Sequence, residues 1–145
     1  MGAEPWSCIV PYQADIKAAL AFAQKQEFAA GRYRIFDPAD PPKTIAEARD
    51  QAEADGTCSV LDMIGVIDTP HEVEDEQYMG TDYGMVAPLS AERLVELYGT
   101  ERPSRQTVLG DSEIYSWLDR GIGSFVVVYE GETPTEIYFA GYSFD

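Results

Sequence analysis

The residues from His71 to Gly84 read HEVEDEQYMGTDYG, and by type they are the side chains in this chain best suited to chemistry. They include the only histidine of the sequence, five carboxylates and no lysine or arginine. Imidazole and carboxylate groups can bind a divalent metal, transfer protons, or present negative charge to a partner protein. The spacing of the residues distinguishes these three uses.

Two well-defined metal-binding patterns are absent from this stretch. A zincin helix requires a pair of histidines on one face, whereas the chain has one histidine in total. The calcium loop of an EF-hand requires acids at alternating positions, a central glycine and a closing glutamate, and the acids here are spaced irregularly. We therefore predict no dedicated metal site and no cofactor.

Nucleophilic catalysis would depend on His71, because a Ser-His-Asp or Cys-His arrangement needs an imidazole. Cys58 can serve only if the fold brings it to His71, and no Gly-x-Ser-x-Gly elbow occurs. Asp62 lies within the apolar run CSVLDMIGVI, where burial can shift a carboxyl pKa. One hypothesis is therefore a small enzyme or ligand-binding domain with a carboxylate-lined pocket that uses Asp62 and His71; we assign no catalytic residue.

The charge distribution favours a different function. The chain carries 26 acidic and 10 basic residues, a formal charge of −16. Between Asp50 and Glu92 there are eleven carboxylates and no lysine or arginine; we call this range the base-free segment. Such a charge repels nucleic acid and anionic membranes and attracts cationic partners. We expect neither nucleic acid nor membrane binding.

The base-free segment predicts a surface that faces a basic protein, as in inhibitors of nucleases and other cationic toxins, whose carboxylates occupy a phosphate site. Tyrosine and methionine side chains among the acids can supply buried contact area. The predicted partner-binding residues are Asp68, Glu72, Glu74, Asp75, Glu76, Tyr78, Met79, Asp82 and Tyr83. The alternative is an acidic surface that serves only solubility or salt adaptation, in which case the acids should be dispersed without an apolar centre.

Length and composition indicate one globular domain spanning residues 1–145. The chain has 145 residues, 45% hydrophobic and 12% aromatic, enough to bury a core. Cys8 and Cys58 lie in apolar stretches and are expected to be buried thiols, with a contact between them left open. The start MGAEPWSC lacks the features of a secretory signal, and no apolar run is long enough to span a bilayer. We expect a cytoplasmic protein.

The hydrophobic pattern predicts the element order β, α, α, β, β, α, α, β, β. Asp62 interrupts one predicted central strand, CSVLDMIGVI, and the chain ends in a β-hairpin, SFVVVYEGETPTEIYFAGYSFD. Thr44 with Glu47 forms a capping box and Ser90 can cap a later helix. Because strands do not alternate regularly with helices, we predict an α+β domain with a mainly antiparallel sheet packed by about four helices.

Four stretches resemble a family of small acidic bacterial proteins with no established activity. They read WSxxVPYQxDIxxAL (Trp6–Leu20), DGTxSVLD (Asp55–Asp62), PLSxxxLxxLYGT (Pro88–Thr100) and IYFAGYSFD (Ile137–Asp145). The resemblance implies a free-standing bacterial cytoplasmic protein, a setting in which immunity proteins of toxin systems are common. It implies no role for any individual residue.

Overall fold

The computed structural model describes residues 3–71 and 83–144. They form one α+β domain around a five-stranded sheet in the order β1-β5-β4-β3-β2. The strands are β1 (Pro5–Pro11), β2 (Gly65–Val66), β3 (Met85–Pro88), β4 (Gly123–Glu130) and β5 (Thr133–Tyr142). The helices are α1 (Ile16–Ala30), α2 (Ile45–Ala52), α3 (Ala91–Tyr98) and α4 (Arg105–Leu109). The predicted fold class and the number of four helices are confirmed for these residues, and the order of element types agrees, although one helix and one strand lie at other residues than predicted.

The sheet is mixed, although most of its paired residues are antiparallel, as the predicted mainly antiparallel sheet requires. The β4–β5 hairpin and the β1–β5 pair are antiparallel, whereas β3 pairs with β4 and β2 with β3 in parallel. Parallel pairing requires a long crossover connection, and the chain has one between β2 and β3 and another between β3 and β4. Nothing in the strand residues themselves specifies this direction.

Helices cover both faces of the hairpin, as expected from strands that carry large apolar side chains on both faces. Ile137 and Phe139 of β5 face the core formed with α1, while Tyr138 and Ala140 face the core formed with α3 and α4. Successive side chains of a strand point to opposite faces, so a strand with apolar residues on both must be covered twice. The hairpin is therefore the interior of the domain.

Most predicted helix ends are confirmed, because the capping chemistry is local. Asp15 accepts from Lys17 N and Ala18 N at the start of α1, and Gly31 ends it with φ 72°. The Thr44 hydroxyl accepts from Glu47 N at 3.1 Å, and the Ser90 hydroxyl accepts from Arg93 N at 3.1 Å. Each cap satisfies an N–H that has no partner within its helix.

Two segments differ from the predicted elements. The run CSVLDMIGVI forms a short 3-10 turn (Val60–Asp62) followed by the two-residue edge strand β2, so the predicted central strand is wrong. The predicted helix at SEIYSWLDRG is a 3-10 turn (Glu113–Trp117) without a side-chain cap. The regular helix nearby is α4, which Ser104 caps.

Candidate functional site

The predicted partner surface extends over both ends of the β2–β3 pair. Asp68 lies two residues after β2 and Tyr83 lies two residues before β3, and the strands run parallel with Gly65 opposite Met85. The two residues therefore lie at opposite ends of the pair rather than side by side. The remaining predicted residues fall outside the described ranges: Glu72, Glu74, Asp75, Glu76, Tyr78, Met79 and Asp82.

The described carboxylates of the base-free segment are almost all exposed. Five of them are exposed and Asp62 is buried. The exposed ones are Asp50, Glu53, Asp55, Asp68 and Glu92. Within residues 3–71 and 83–144, no ion pair involves any of the six. The five exposed carboxylates therefore face solvent, and none forms an ion pair with a cation from the described part of the chain.

Carboxylates elsewhere in the chain are more often paired with arginine. The ion pairs are Glu27 with Arg32, Glu4 with Arg34, Glu96 with Arg93, Glu132 with Arg102 and Glu136 with Arg105. The Glu27–Arg32 pair is bidentate, at 2.7 and 2.9 Å, and Glu27 is buried. Five described carboxylates outside the base-free segment are thus paired, whereas others there, such as Glu101 and Glu130, take part in no described ion pair, so the two groups differ in degree.

Arg49, which directly precedes the base-free segment, is directed inward. Arg49 donates from Nε to the Leu61 carbonyl at 2.5 Å and from Nη2 to the Met63 carbonyl at 3.0 Å. Gln24 donates to the carbonyls of Val60 and Met63 at 3.1 and 2.7 Å. These bonds hold the loop before β2 in place, and the guanidinium serves backbone oxygens rather than surface acids.

A groove lies beside Asp68, where β2 and β3 end and α1 begins. Its volume is about 610 Å³, and its apolar lining includes Ile16, Val66 and Phe125. Asp15, Lys17 and Asp68 contribute charged groups to the lining. Such a groove can accept a side chain that combines an apolar stem with a charged end, as lysine and arginine do.

An exposed apolar pair lies at the other end of the strands. Ile64 is 72% exposed and Tyr83 is 48% exposed. The Tyr83 ring packs on Phe144 with a centroid distance of 4.8 Å. Ile64 and Phe144 are absent from the residues predicted from sequence, because Ile64 belongs to a run that suggested a buried strand. Apolar periodicity alone does not reveal which member of such a run remains exposed.

Asp62 organises its own loop. Its Oδ1 accepts from Thr57 N at 2.6 Å and from Thr57 Oγ1 at 2.7 Å, while Oδ2 has no hydrogen-bond partner. Burial raises the pKa of Asp62, against the opposing effect of the Thr57 hydrogen bonds. In this loop Cys58 adopts φ 55°, a left-handed conformation that is uncommon for a residue with a Cβ. The carboxylate thus stabilises a strained loop.

His71 and the cysteines have separate surroundings. His71 Nε2 lies 2.7 Å from the carbonyl oxygen of Gly123 at the start of β4. Both cysteines are free thiols and half-buried rather than fully buried. Burial raises the pKa of Cys8 to about 12 and also raises the pKa of Cys58. A thiol with a raised pKa is a poor nucleophile at neutral pH, which gives Cys58 no support as a catalytic residue.

The described part of the chain has neither a metal-ligand cluster nor a membrane-spanning helix. No group of three or more His, Cys, Asp or Glu side chains there is placed to hold a metal ion. No helix within the described ranges combines the length and apolar character needed to cross a bilayer.

Comparison of the chain with protein-family models, with curated proteins and with solved structures finds no match. Its function must therefore be inferred from the charges, contacts and exposure described above.

Proposed function

We propose that the protein is a non-enzymatic acidic binding protein, an inhibitor of immunity or antitoxin type that masks a basic site on a partner protein. The observation that carries the proposal is the absence of described ion pairs at the five exposed carboxylates of the base-free segment, Asp50, Glu53, Asp55, Asp68 and Glu92. A carboxylate without a cation of its own chain remains available to a cation from another.

The direction of Arg49 supports the same function. A surface intended to be neutral would place the nearest guanidinium among the acids, whereas Arg49 donates to the carbonyls of Leu61 and Met63. Clustered carboxylates raise the association rate of a cationic protein at low salt, and the effect falls as salt is added. The proposal includes the bacterial cytoplasm as the site of action, since two free thiols suit a reducing compartment.

A pair of fourfold variants tests the proposal. The first reverses four acids of the base-free segment to lysine: Glu72, Glu74, Asp75 and Glu76. The control reverses four exposed acids outside it, which take part in no described ion pair: Glu101, Glu113, Asp119 and Glu130. Each set changes the net charge by the same amount. Any difference between them therefore reports position rather than total charge.

The probe is a purified basic nuclease, and its association rate is measured by stopped-flow fluorescence over a salt series. We expect the segment variant to slow association by about tenfold or more at low salt and to flatten the salt dependence. The control variant should retain most of the association rate at low salt and most of its salt dependence. Equal behaviour of the two variants would contradict a localised binding surface and favour a solubilising role for the acids.

The second candidate function is a ligand-binding domain, and the groove beside Asp68 is the observation that favours it. Two carboxylates, Asp15 and Asp68, line the groove together with Lys17. The Asp62 carboxylate accepts from Thr57 of its own loop and does not line the groove. Titration with spermidine, monitored by amide chemical shifts, tests this candidate. Saturable shifts around Val66 and Phe125 that disappear in Asp68→Asn would support it.

A further inference from the structure

We propose that Ile64 and Tyr83 form the apolar centre of the partner-binding surface and receive a large apolar side chain that lysine or arginine flanks on the partner. This inference rests on the proposed function and specifies the chemistry of the partner segment. It places the contact at the amino ends of β2 and β3, away from the groove at their carboxyl ends.

The exposure of Ile64 is the first observation. At 72%, it is the most exposed large hydrophobic residue in the described part of the chain. Tyr83 is its neighbour through Gly84: Ile64 N donates to the Gly84 carbonyl at 2.7 Å, and a Cβ on Gly84 would lie 3.1 Å from Ile64 Cγ1. Both residues belong to the base-free segment of the sequence.

The Tyr83 ring is supported from beneath. Phe144 packs against it, and a Cβ on Gly121 would lie 2.6 Å from the ring. Gly121 has φ 74°, and its carbonyl accepts from Gly84 N at 2.6 Å. The ring therefore rests on bare backbone and has little room to move toward the protein. An aromatic side chain held in this way loses little conformational entropy on binding, which is typical of interface hot spots.

The loop that carries Ile64 is also fixed. Arg49 and Gln24 together hold the carbonyls of Val60, Leu61 and Met63, the residues just before it. Ile64 is thus exposed on a braced loop rather than on a fraying one. Preorganisation of this kind lowers the cost of association, whereas leaving isoleucine in water gives the isolated domain no benefit.

The charges around the pair specify the partner. Phe144 also packs near Gly56, where a Cβ would lie 2.8 Å from the ring, and the adjoining residue Asp55 is exposed. Glu53 is exposed on the same turn. The charged groups around the pair are the exposed carboxylates of Glu53 and Asp55 and the exposed guanidinium of Arg120 beside Gly121, and this excess of acid over base suits an apolar side chain that lies between cations. A second copy of this chain is disfavoured, because two molecules of charge −16 repel each other.

The experiment uses two synthetic peptides of equal length and charge. In the first, leucine and lysine alternate at helical spacing, and in the second, serine replaces every leucine. An acidic peptide is the blank. Each is titrated into the full chain and into Ile64→Ser, Tyr83→Ser and Val95→Ser, with binding measured by fluorescence anisotropy. Val95 is 49% exposed and lies on α3, outside the base-free segment, so it is the matched control.

The expected result is that the full chain binds the leucine peptide about tenfold tighter than the serine peptide. Ile64→Ser or Tyr83→Ser should remove the difference, and Val95→Ser should keep it. Far-UV circular dichroism confirms that each variant is folded, and because Ile64 is exposed, its variant remains informative if Tyr83→Ser unfolds.

Three outcomes would overturn the inference. Equal affinity for the two basic peptides, both above the blank, would remove the apolar centre and leave the acidic binding function intact. Binding of neither peptide above the blank would contradict the proposed function as well. A sedimentation experiment that finds a dimer of the full chain and a monomer of Ile64→Ser would assign the pair to a contact between two copies.

Discussion

The two edges of the sheet, at β1 and at β2, differ in strand length, pairing direction and nearby charge. On one side, β1 pairs with β5 over seven residues in antiparallel register, and ion pairs such as Glu4 with Arg34 lie nearby. On the other, β2 pairs with β3 through two residues in parallel, within the base-free segment. The first edge is held by extensive strand pairing, whereas the second has little strand pairing and is held by buried side chains such as Met63 and Val86.

This difference separates the residues that maintain the fold from those proposed to bind. The hairpin strands bury apolar side chains on both faces, so substitutions there affect folding first. Ile64 and the exposed acids of the base-free segment contact little of the domain and can change with small effect on folding. The following predictions measure how complete that separation is, beginning with the largest effect.

Phe139→Ala should have the largest effect on stability. Phe139 is fully buried in β5 between β1 and β4, and its truncation leaves a cavity in the core shared with α1. We expect the free energy of unfolding to fall by about 3–5 kcal/mol. Urea unfolding monitored by circular dichroism measures it. The matched truncation Ile64→Ala should cost no more than about 0.5 kcal/mol, because Ile64 is mostly exposed. Similar costs at the two positions would contradict the separation.

Arg49→Ala should have an intermediate effect, because Arg49 connects the two sides. It removes a charged donor from the buried Leu61 carbonyl, and hydrogen bonds to charged groups contribute about 1.5–3 kcal/mol. We expect a loss in that range by urea unfolding. Arg102→Ala, which breaks an exposed ion pair with Glu132, should cost under about 1 kcal/mol. If Arg49→Ala lowers the free energy of unfolding no more than Arg102→Ala does, the hydrogen bonds of Arg49 do not stabilise the loop before β2.

Asp62→Asn should change the pH dependence of stability by a smaller amount. Burial raises the folded pKa of Asp62 above its unfolded value of 3.8. At pH values between these two pKa values, the folded state therefore holds more protons than the unfolded state. The Asp62 contribution to the free energy of unfolding is therefore greatest below pH 3.8 and decreases until the folded pKa is passed. Asparagine does not titrate. The stability of Asp62→Asn relative to the natural chain should therefore rise from acid toward neutral pH.

Urea unfolding of both proteins at a series of pH values from 3.5 to neutral measures the effect, with the starting value set just below the unfolded pKa. Thr57→Val is the companion variant, since it removes the hydroxyl that donates to Asp62 and should raise the folded pKa further. A difference between Asp62→Asn and the natural chain that stays constant with pH would contradict a raised pKa.

Helix ends are predictable from short sequence stretches, whereas strand direction and the run containing Asp62 are not. The caps at Thr44 and Ser90 can be predicted from short stretches of sequence, since each depends on a few adjacent backbone groups. The parallel direction of β2 was not readable, because long connections allow either direction. The prediction of a strand at the run containing Asp62 is wrong because apolar residues form a 3-10 turn there, held by Thr57 just before the run and by Arg49 from α2.

The candidate site divides in the same way. The absence of lysine and arginine between Asp50 and Glu92 is a property of the sequence, whereas the absence of ion pairs at its described acids, within the described part of the chain, is known only from the structure. Tyr83 was included among the predicted residues by type alone. Ile64 was missed because its exposure follows from the turn at Val60–Asp62 and the shortness of β2, which are tertiary outcomes.

The glycine at position 121 is a sequence feature that indicates the exposed orientation of the Tyr83 ring. A side chain at position 121 would meet the Tyr83 ring at 2.6 Å and Phe144 at 2.8 Å, and the positive φ already disfavours any residue but glycine. The identity of position 121 is therefore coupled to the orientation of an aromatic ring 38 residues earlier in the chain. Where a chain of this fold combines an aromatic residue at 83 with glycine at 121, we expect the exposed ring; where bulk replaces that glycine, the surface must be built in another way.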